Sequence, residues 1–435
     1  MGRKRSYAPL NVFLHSNRVG QLTREKSGAV HFQYDKQWIQ HENAIPVSVS
    51  MPLRTDRYSG ATVMAVFDNL LPDYDPIRRR VAERVGAEGT DAYSLLAEIG
   101  RDCIGALQFL SDDQPPETST ALTGTPLSDT DIENILNDLD VSPLGIRNDS
   151  SFRISVAGAQ EKTALLLHNN QWIQPEGTTP TSHIIKPQIG RLNNGIDLSN
   201  SVENEYYCIQ LLNAMGLKTA NVSIATFNAK KALVVERFDR RWTSDGRLVR
   251  LPQEDCCQAL SVAPTGKYQS EGGPGIEAIM DVLRGSDKPF DDRLDFFKAN
   301  ILFWLMGATD GHAKNFSLAL SSQGRFRLTP LYDVITIQPS VDNKRLARKD
   351  FKLAMRVGKS NHYNVEKIHG RHFVHTGVKA GLSRKAIEGL FNDITEACPR
   401  ALEATAAQLP NNFPAQLHDS VSTAIQKRLP RLDMS

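Results

Sequence analysis

The sequence predicts an α+β fold in two lobes, an antiparallel-sheet lobe followed by a mostly helical one. Three observations carry that prediction. Through residue 238, short runs rich in Val, Ile and Leu are punctuated by Gly, Asn, Asp and Pro, the pattern of strands and turns. Beyond residue 275, apolar residues recur at helical spacing. Between two apolar stretches, 294–306 and 316–320, lies the polar run Thr309-Asp310-Gly311-His312-Ala313-Lys314-Asn315, and a further apolar run ends at Leu331-Tyr332-Asp333. A buried helix, a tight polar loop and a strand-end carboxylate are expected there.

A chain of 435 residues is long enough for two or three domains and a sizeable core. Its 40% hydrophobic and 23% charged residues are those of a soluble globular protein, and a net charge of +2 excludes a wholly basic nucleic-acid coat. The five cysteines, Cys103, Cys208, Cys256, Cys257 and Cys398, form no C-x-x-C pair, which fits a reducing compartment better than a disulfide or zinc framework. No apolar run approaches the roughly 18 residues of a membrane span. The basic start, Arg3-Lys4-Arg5, lacks the apolar region of a secretory signal. A cytoplasmic protein with no membrane partner is expected. The basic cluster reads as a solvated end, with phosphate contact as the alternative.

Residues 10–15 and 29–34 read as strands, with a first turn at 17–20. Helices follow over 63–71, 76–85 and 92–99, then a strand at 106–110. Residues 111–127, rich in Asp, Pro, Ser and Thr, read as a linker, and Ser128 caps a helix to 139. The main boundary is placed near 140–150, giving an N-terminal subdomain (1–145), a nucleotide-binding sheet lobe (146–240) and a helical lobe (241–435).

In the sheet lobe, 152–156 and 162–167 read as strands joined by Ala157-Gly158-Ala159-Gln160-Glu161, a small-residue turn whose backbone N–H groups suit phosphate oxygens. An ordinary hairpin is the plainer alternative. Lys186 ends a third strand. It is either a solvated edge residue or the lysine that pairs with α/β-phosphates. A capped helix over 198–215 carries Glu203 and Glu205, either of which could partner Lys186, Glu205 by preference. Strands at 222–227 and 232–238 complete a five-stranded sheet. Glu236-Arg237-Phe238 then lies where a hinge would offer backbone groups to adenine, or where an edge strand simply exits. In the helical lobe, two helices are expected over 384–397 and 399–408, preceded by basic residues that include Lys379.

The chemistry of the polar loop follows from its residue types. Phosphoryl transfer needs a carboxylate to take a hydroxyl proton, and an amide oxygen and a second carboxylate to hold Mg²⁺. Asp310 and Asn315 have the D-x-x-x-x-N spacing of kinase catalytic loops, and Asp333 follows where the second metal-binding carboxylate would stand. There is no G-x-G-x-x-G, H-R-D or D-F-G, so the eukaryotic pattern does not transfer whole. A two-metal hydrolase built on Asp310, His312 and Asp333 would lack further ligands.

Phe152-Arg-Ile-Ser-Val-Ala-Gly-Ala-Gln-Glu-Lys162, Val235-Glu-Arg-Phe-Asp-Arg-Arg241, Leu251-Pro-Gln-Glu-Asp255 and the Thr309–Asn315 run occur in this order, with Phe67-Asp-Asn-Leu-Leu-Pro72 and Glu98-Ile-Gly-Arg-Asp102 ahead of them. In this combination the chain resembles the HipA family, serine/threonine-kinase toxins of toxin–antitoxin systems, over nearly its whole length. The resemblance implies a bilobed protein-kinase-like fold using ATP and Mg²⁺. It makes Asp310 the catalytic base, and Asn315 and Asp333 the metal ligands. It assigns nucleotide contacts to Val156, Ala157, Gly158, Ala159, Gln160, Glu161, Lys162, Lys186, Glu236, Arg237, Phe238, His312, Lys314, Asn315, Tyr332 and Asp333. Ser155 would be an inactivating autophosphorylation site, and Lys379 a DNA contact. The implied partners are a HipB-like helix-turn-helix antitoxin dimer, operator DNA reached through that complex, and glutamyl-tRNA synthetase as substrate. A kinase-shaped corepressor without catalysis is the alternative.

Overall fold

The computed structural model describes residues 7–111, 122–146, 152–158, 160–192 and 196–433. Arg3-Lys4-Arg5, most of the expected linker and Ala159 lie outside the described residues. The chain divides into two compact units: Met1–Pro187 with Ala225–Thr265 and Leu318–Phe326, and Gln188–Ile224 with Gly266–Ser317 and Arg327–Ser435. The first unit therefore takes in both the expected N-terminal subdomain and most of the expected sheet lobe.

The first unit holds two main sheets. In the N-terminal one, strands Tyr58–Ser59, Val30–Tyr34, Asn17–Arg24, Leu10–Leu14 and Gln108–Leu110 lie side by side in that order, all antiparallel. The first hairpin turns at His15-Ser16, both at positive φ (48° and 67°), so the expected turn at 17–20 is strand. Two consecutive left-handed residues match the twist of a two-residue hairpin, but His-Ser carries no Asn-Gly signal. Helices Ala61–Asp68, Asp75–Val85 and Ala92–Ile99 agree with expectation to within a few residues.

The second sheet has six strands, in the order Val222–Phe227, Lys230–Glu236, His183–Pro187, Thr163–His168, Gln171–Pro175 and Gly124–Pro126. This corrects the five-stranded expectation at three places. Residues 152–156 form no strand. Gln171–Pro175 pairs back on Thr163–His168 through Asn169-Asn170, at φ 50° and 60°. Part of the expected linker, Gly124–Pro126, adds an edge strand. Helix Asp129–Asn137 starts on a capping box between Ser128 and Asp131. It packs Ile132, Ile135 and Leu136 onto Leu165, Ile185, Ala232 and Val234 of the sheet.

A buried charge cluster ties the segment after Ala92–Ile99 to this sheet. The Asp102 carboxylate accepts from Arg250 Nε (2.8 Å), Arg240 Nη2 (2.9 Å), Thr181 Oγ1 (2.7 Å) and the Thr181 N–H (3.0 Å). Asp239 accepts from Arg237 (2.9 and 2.7 Å) and from the Gly105 N–H (2.6 Å). The arginines hold the Asp102 carboxyl well below the usual carboxylate range despite its burial. Nearby, Glu254 is buried and accepts from the Val49 N–H at 2.7 Å, and burial pushes its carboxyl up to about 8. Asp255 beside it caps helix Cys256–Ala259. Both acids of the Leu251–Asp255 motif thus serve the fold.

The second unit is mainly helical. Helix Arg384–Ala407 packs on Ser201–Ala214, and Ala415–Arg428 packs on Pro289–Met306. Arg384–Ala407 runs unbroken through Pro399, where two helices were expected. The apolar stripe of Ile387, Leu390, Ile394, Cys398 and Leu402 keeps one period across the proline, and its packing outweighs the missing hydrogen bond. Among the described residues no helix is long and apolar enough to cross a membrane.

Two stability measurements follow. Asp102→Asn leaves three arginines short of a buried counter-charge and is expected to lower stability by about 3–5 kcal/mol, read by denaturant titration. Glu254 carries a proton in the fold that it loses in the unfolded chain above about pH 4.3. Its raised value therefore makes the fold less stable as pH climbs from there towards 8. Glu254→Gln keeps the acceptor for Val49 and cannot ionise, so its melting temperature should gain on the wild type most near pH 8 and least near pH 5.

Candidate active site

Helix Pro289–Met306 opens on a proline, with Asp291 and Asp292 in its first turn, where acids suit the dipole. From Phe296 on it buries Phe296, Phe297, Ile301, Trp304 and Leu305. It stops at Gly307, at φ 70°, where a Cβ would lie 2.7 Å from the Phe351 ring. The chain then runs through the predicted polar loop and closes it with the 3₁₀ turn Ala313–Asn315. Gly311 sits flat on Phe303, whose ring would be 2.5 Å from an added Cβ. That glycine is demanded by close approach alone.

Inside the loop, Asn315 Nδ2 donates to the Asp310 carbonyl at 2.8 Å and reaches the Asp333 carbonyl at 3.5 Å. With its nitrogen so engaged, the carboxamide presents its oxygen elsewhere. The Asp310 side chain is 56% exposed, while His312, Lys314 and Asn315 are buried. Asp310 Oδ1 accepts from the Tyr268 hydroxyl at 2.5 Å, and Oδ2 lies 3.9 Å from His312 Nε2. The Tyr268 and His312 rings meet edge to face, 4.9 Å between centroids.

Asp333 is half-buried and left-handed, at φ 57°, a conformation that Asp tolerates better than most residues. The segment on either side is pinned. Leu331 is bridged to Thr219 by the bonds Ala220 N–H to Leu331 O (2.8 Å) and Leu331 N–H to Lys218 O (2.9 Å). Thr336 exchanges two bonds with the Asn204 carboxamide, at 2.8 and 2.9 Å. The Tyr332 hydroxyl bonds Ser317 Oγ (2.6 Å) and the Lys314 carbonyl (3.0 Å), so it serves to join the two segments.

The second unit therefore holds Asp310, Asn315 and Asp333, joined by the Asn315 bonds, together with His312, Lys314 and Tyr332. An exposed carboxylate can accept a hydroxyl proton. An amide oxygen and a second carboxylate are hard donors fit for Mg²⁺. Among the described residues no three His, Cys, Asp or Glu side chains form a metal site on their own, so Asn315 and Asp333 would need oxygens from a bound phosphate. Tyr268 was missed, because nothing in its spacing, 42 residues before Asp310, marks it. Glu203 and Glu205 are both buried on helix Ser201–Ala214, and Glu203 accepts from Gln188 at 2.7 Å.

In the first unit, Lys186 is buried on its strand opposite Leu233. Ser155 is fully buried: its hydroxyl donates to the Leu70 carbonyl (2.6 Å) and its N–H to the Asp102 carbonyl (3.0 Å). Val156 is buried, and the Gly158 carbonyl accepts from the Asp73 N–H at 3.2 Å. Lys162 Nζ folds back onto the Ala157 carbonyl (2.9 Å), beneath Gly158, where a Cβ would lie 2.5 Å from it. Gln160 donates to the Pro187 carbonyl (3.1 Å), and Glu161 pairs with Arg80 (3.0 Å).

The hinge expectation needs correction at Arg237. Its guanidinium lies inside the charge cluster, its N–H donates to the Ser182 carbonyl (2.9 Å), and its own carbonyl accepts from the Arg240 N–H (3.1 Å). Glu236 is exposed at the strand end opposite His183, and Phe238 is half-buried. Lys379, at the end of helix Gly370–Lys379, is exposed and pairs with Glu277 at 3.3 Å.

Comparison with known proteins places these elements. Residues 10–110 match the family described as HipA N-terminal domain, and residues 154–402 the HipA-like C-terminal domain. The chain belongs to the HipA-like kinase family. The candidate kinase Y4mE of Sinorhizobium fredii is 36% identical, over 91% of this chain and 92% of its own. The serine/threonine-protein kinase toxin HipA of Shewanella oneidensis is 26% identical, over 92% and 90%. A solved HipA chain, from the Shewanella oneidensis complex of HipA, HipB and operator DNA, superposes with a TM-score of 0.81 over 98% of both chains at 24% identity, a likeness of fold.

In this HipA-like protein the packing of Gly311 on Phe303 sets the loop. Gly311→Ala should reduce stability by about 1–3 kcal/mol, read from the thermal midpoint, because Cβ and ring cannot both keep their places.

Proposed function

We propose that this protein is an ATP-dependent serine/threonine protein kinase and the toxin of a toxin–antitoxin pair. The observation that carries the reading is the convergence of Asp310, Asn315 and Asp333 through the bonds from Asn315 to the two aspartate carbonyls. Asp310 orients the acceptor hydroxyl and receives its proton as phosphorus–oxygen bond formation proceeds. Asn315 Oδ1 and the Asp333 carboxylate would hold Mg²⁺, which when bound neutralises charge on the β/γ-phosphates. Lys186 meets the α/β-phosphates, and the backbone N–H groups around Gly158 face phosphate oxygens. Glu236 and Phe238 contact adenine through the main chain.

Ser155 is the proposed autophosphorylation site, and its burial supports an inactivating role. A phosphoserine brings about two negative charges and three acceptor oxygens. None of these fits where the hydroxyl now donates to Leu70, so the modified segment must leave its place and take the phosphate-facing turn with it. Likeness to the Shewanella HipA supports a HipB-like antitoxin dimer and operator DNA as partners, with Lys379 near the DNA. The family resemblance supports glutamyl-tRNA synthetase as acceptor, hence arrest of translation and dormancy.

Intact-mass spectrometry after phosphatase treatment and incubation with Mg-ATP tests this reading. One phosphate on Ser155, absent from Asp310→Gln, is expected, as is transfer to added glutamyl-tRNA synthetase. Operator binding with an antitoxin but no phosphate on either protein would leave a corepressor instead.

A further inference from the structure

Tyr268 is the polar group on the Asp310 carboxylate that the spacing argument did not anticipate. We propose that it is a positioning residue for the phosphoacceptor: its hydroxyl fixes one oxygen of Asp310 so that the other is aimed at the incoming Ser or Thr hydroxyl. The proposal rests on the kinase reading and adds to it a residue outside the Asp-Asn-Asp set.

The argument is geometric. Asp310 projects from the loop with more than half of its side chain in solvent, and an exposed carboxylate turns freely about its side-chain torsions. The 2.5 Å bond from Tyr268 removes that freedom by engaging Oδ1. Oδ2 is left on the side where His312 Nε2 stands 3.9 Å away, too far for a hydrogen bond to hold it.

Tyr268 is itself held in two ways. Its ring packs edge-on against the buried His312 ring, and Gln269, the next residue, accepts from the Arg356 N–H at 2.8 Å. The His312 ring against Tyr268 and the bond from strand Lys352–Val357 to Gln269 together hold this segment more firmly than a solvated surface residue needs. The Tyr268 hydroxyl donates to the proposed base. In the transfer step the acceptor oxygen bonds to the γ-phosphorus, the bond from that phosphorus to the β–γ bridging oxygen breaks, ADP leaves, and the acceptor proton goes to Asp310. Tyr268 keeps its own proton throughout.

Tyr268→Phe removes the hydroxyl and leaves the ring against His312. Mg-ATP affinity by tryptophan-fluorescence titration and turnover on a pool of serine- and threonine-containing peptides would be measured on phosphatase-treated wild type, Tyr268→Phe and Asp310→Asn. The expected result is a fall in kcat of roughly 100-fold for Tyr268→Phe, with the ATP dissociation constant and the melting temperature unchanged, because a misaimed base slows the chemical step alone. Turnover within twofold of wild type overturns the positioning role while leaving the kinase reading intact. Phosphate mapping to Tyr268 itself also overturns it, since the residue would then be an acceptor. A wild type that transfers nothing refutes both.

Discussion

The last turn of helix Pro289–Met306 leaves four backbone carbonyls without partners in the helix, and the way they are met organises the second unit. The Phe303 carbonyl takes the Ala308 N–H at 2.8 Å, and the Trp304 carbonyl takes the Gly307 N–H at 3.2 Å. The Leu305 carbonyl takes buried Arg428 at 2.9 Å, and the Met306 carbonyl takes the Thr336 hydroxyl at 2.7 Å. Arg428 brings the final helix Ala415–Arg428 against the core helix. Thr336, three residues past Asp333, brings that segment with it; the strand expected to end at Asp333 stops instead at Leu328. The polar loop must start where the helix stops, and Asp333 must lie where Thr336 is held. One capping requirement therefore sets Asp310 and Asp333 together, and the Asn315 amide locks the spacing between them.

The first unit depends on a different constraint. Burying two aspartates and three arginines is costly by several kcal/mol per ion, offset only when every oxygen and N–H finds a partner. Asp102 accepts from three arginines and twice from Thr181, and the same residue's carbonyl receives the Ser155 N–H. The segment bearing Ser155 thus hangs from the residue that balances the charges. Motifs far apart in the chain, Glu98–Asp102 and Val235–Arg241, are in contact because the first supplies Asp102 and the second Arg237, Asp239 and Arg240 of the cluster.

The loop at Asp310 was legible because a long apolar helix and a polar run are local signals, and helical spacing survives in a single sequence. The Ala92–Ile99 helix was legible for the same reason. The hairpin at His15-Ser16 was not, since its turn relies on backbone conformations that neither residue advertises. Arg237 was misread for a related reason: a charged residue after a strand looks like a solvated exit until its partners, Asp102 and Asp239, are folded round it. The helix through Pro399 shows tertiary packing overriding a local breaker. Asn204, Thr336 and Tyr268 each make a contact at the site with a residue distant in sequence, so no local pattern pointed to them.

The contrast between the two units bears on how such a kinase would switch itself off. Around Asp310 the following residues are locked: Ala313 is wholly buried, His312, Lys314 and Asn315 nearly so, while the Asp310 carboxylate reaches solvent. In residues 152–158, Phe152, Ile154, Ser155 and Val156 are buried too, but the segment is secured differently. They join no sheet beyond a single bridge between Gly158 and Pro72. A true strand there, as expected from the sequence, would surrender a whole ladder on leaving. The segment instead holds through a few separate bonds, among them those of Ser155 to Asp102 and Leu70 and of Gly158 to Asp73. Each such bond contributes only about 0.5–1.5 kcal/mol net, and local openings of so few bonds fall at the low end of the free-energy range in folded proteins. A serine with no exposed surface can meet ATP only in such an opening, and once phosphorylated it cannot return. On the proposed reading, the firm seating of the loop at Asp310 and the weak tethering of residues 152–158 are separate properties, so each can be altered without the other.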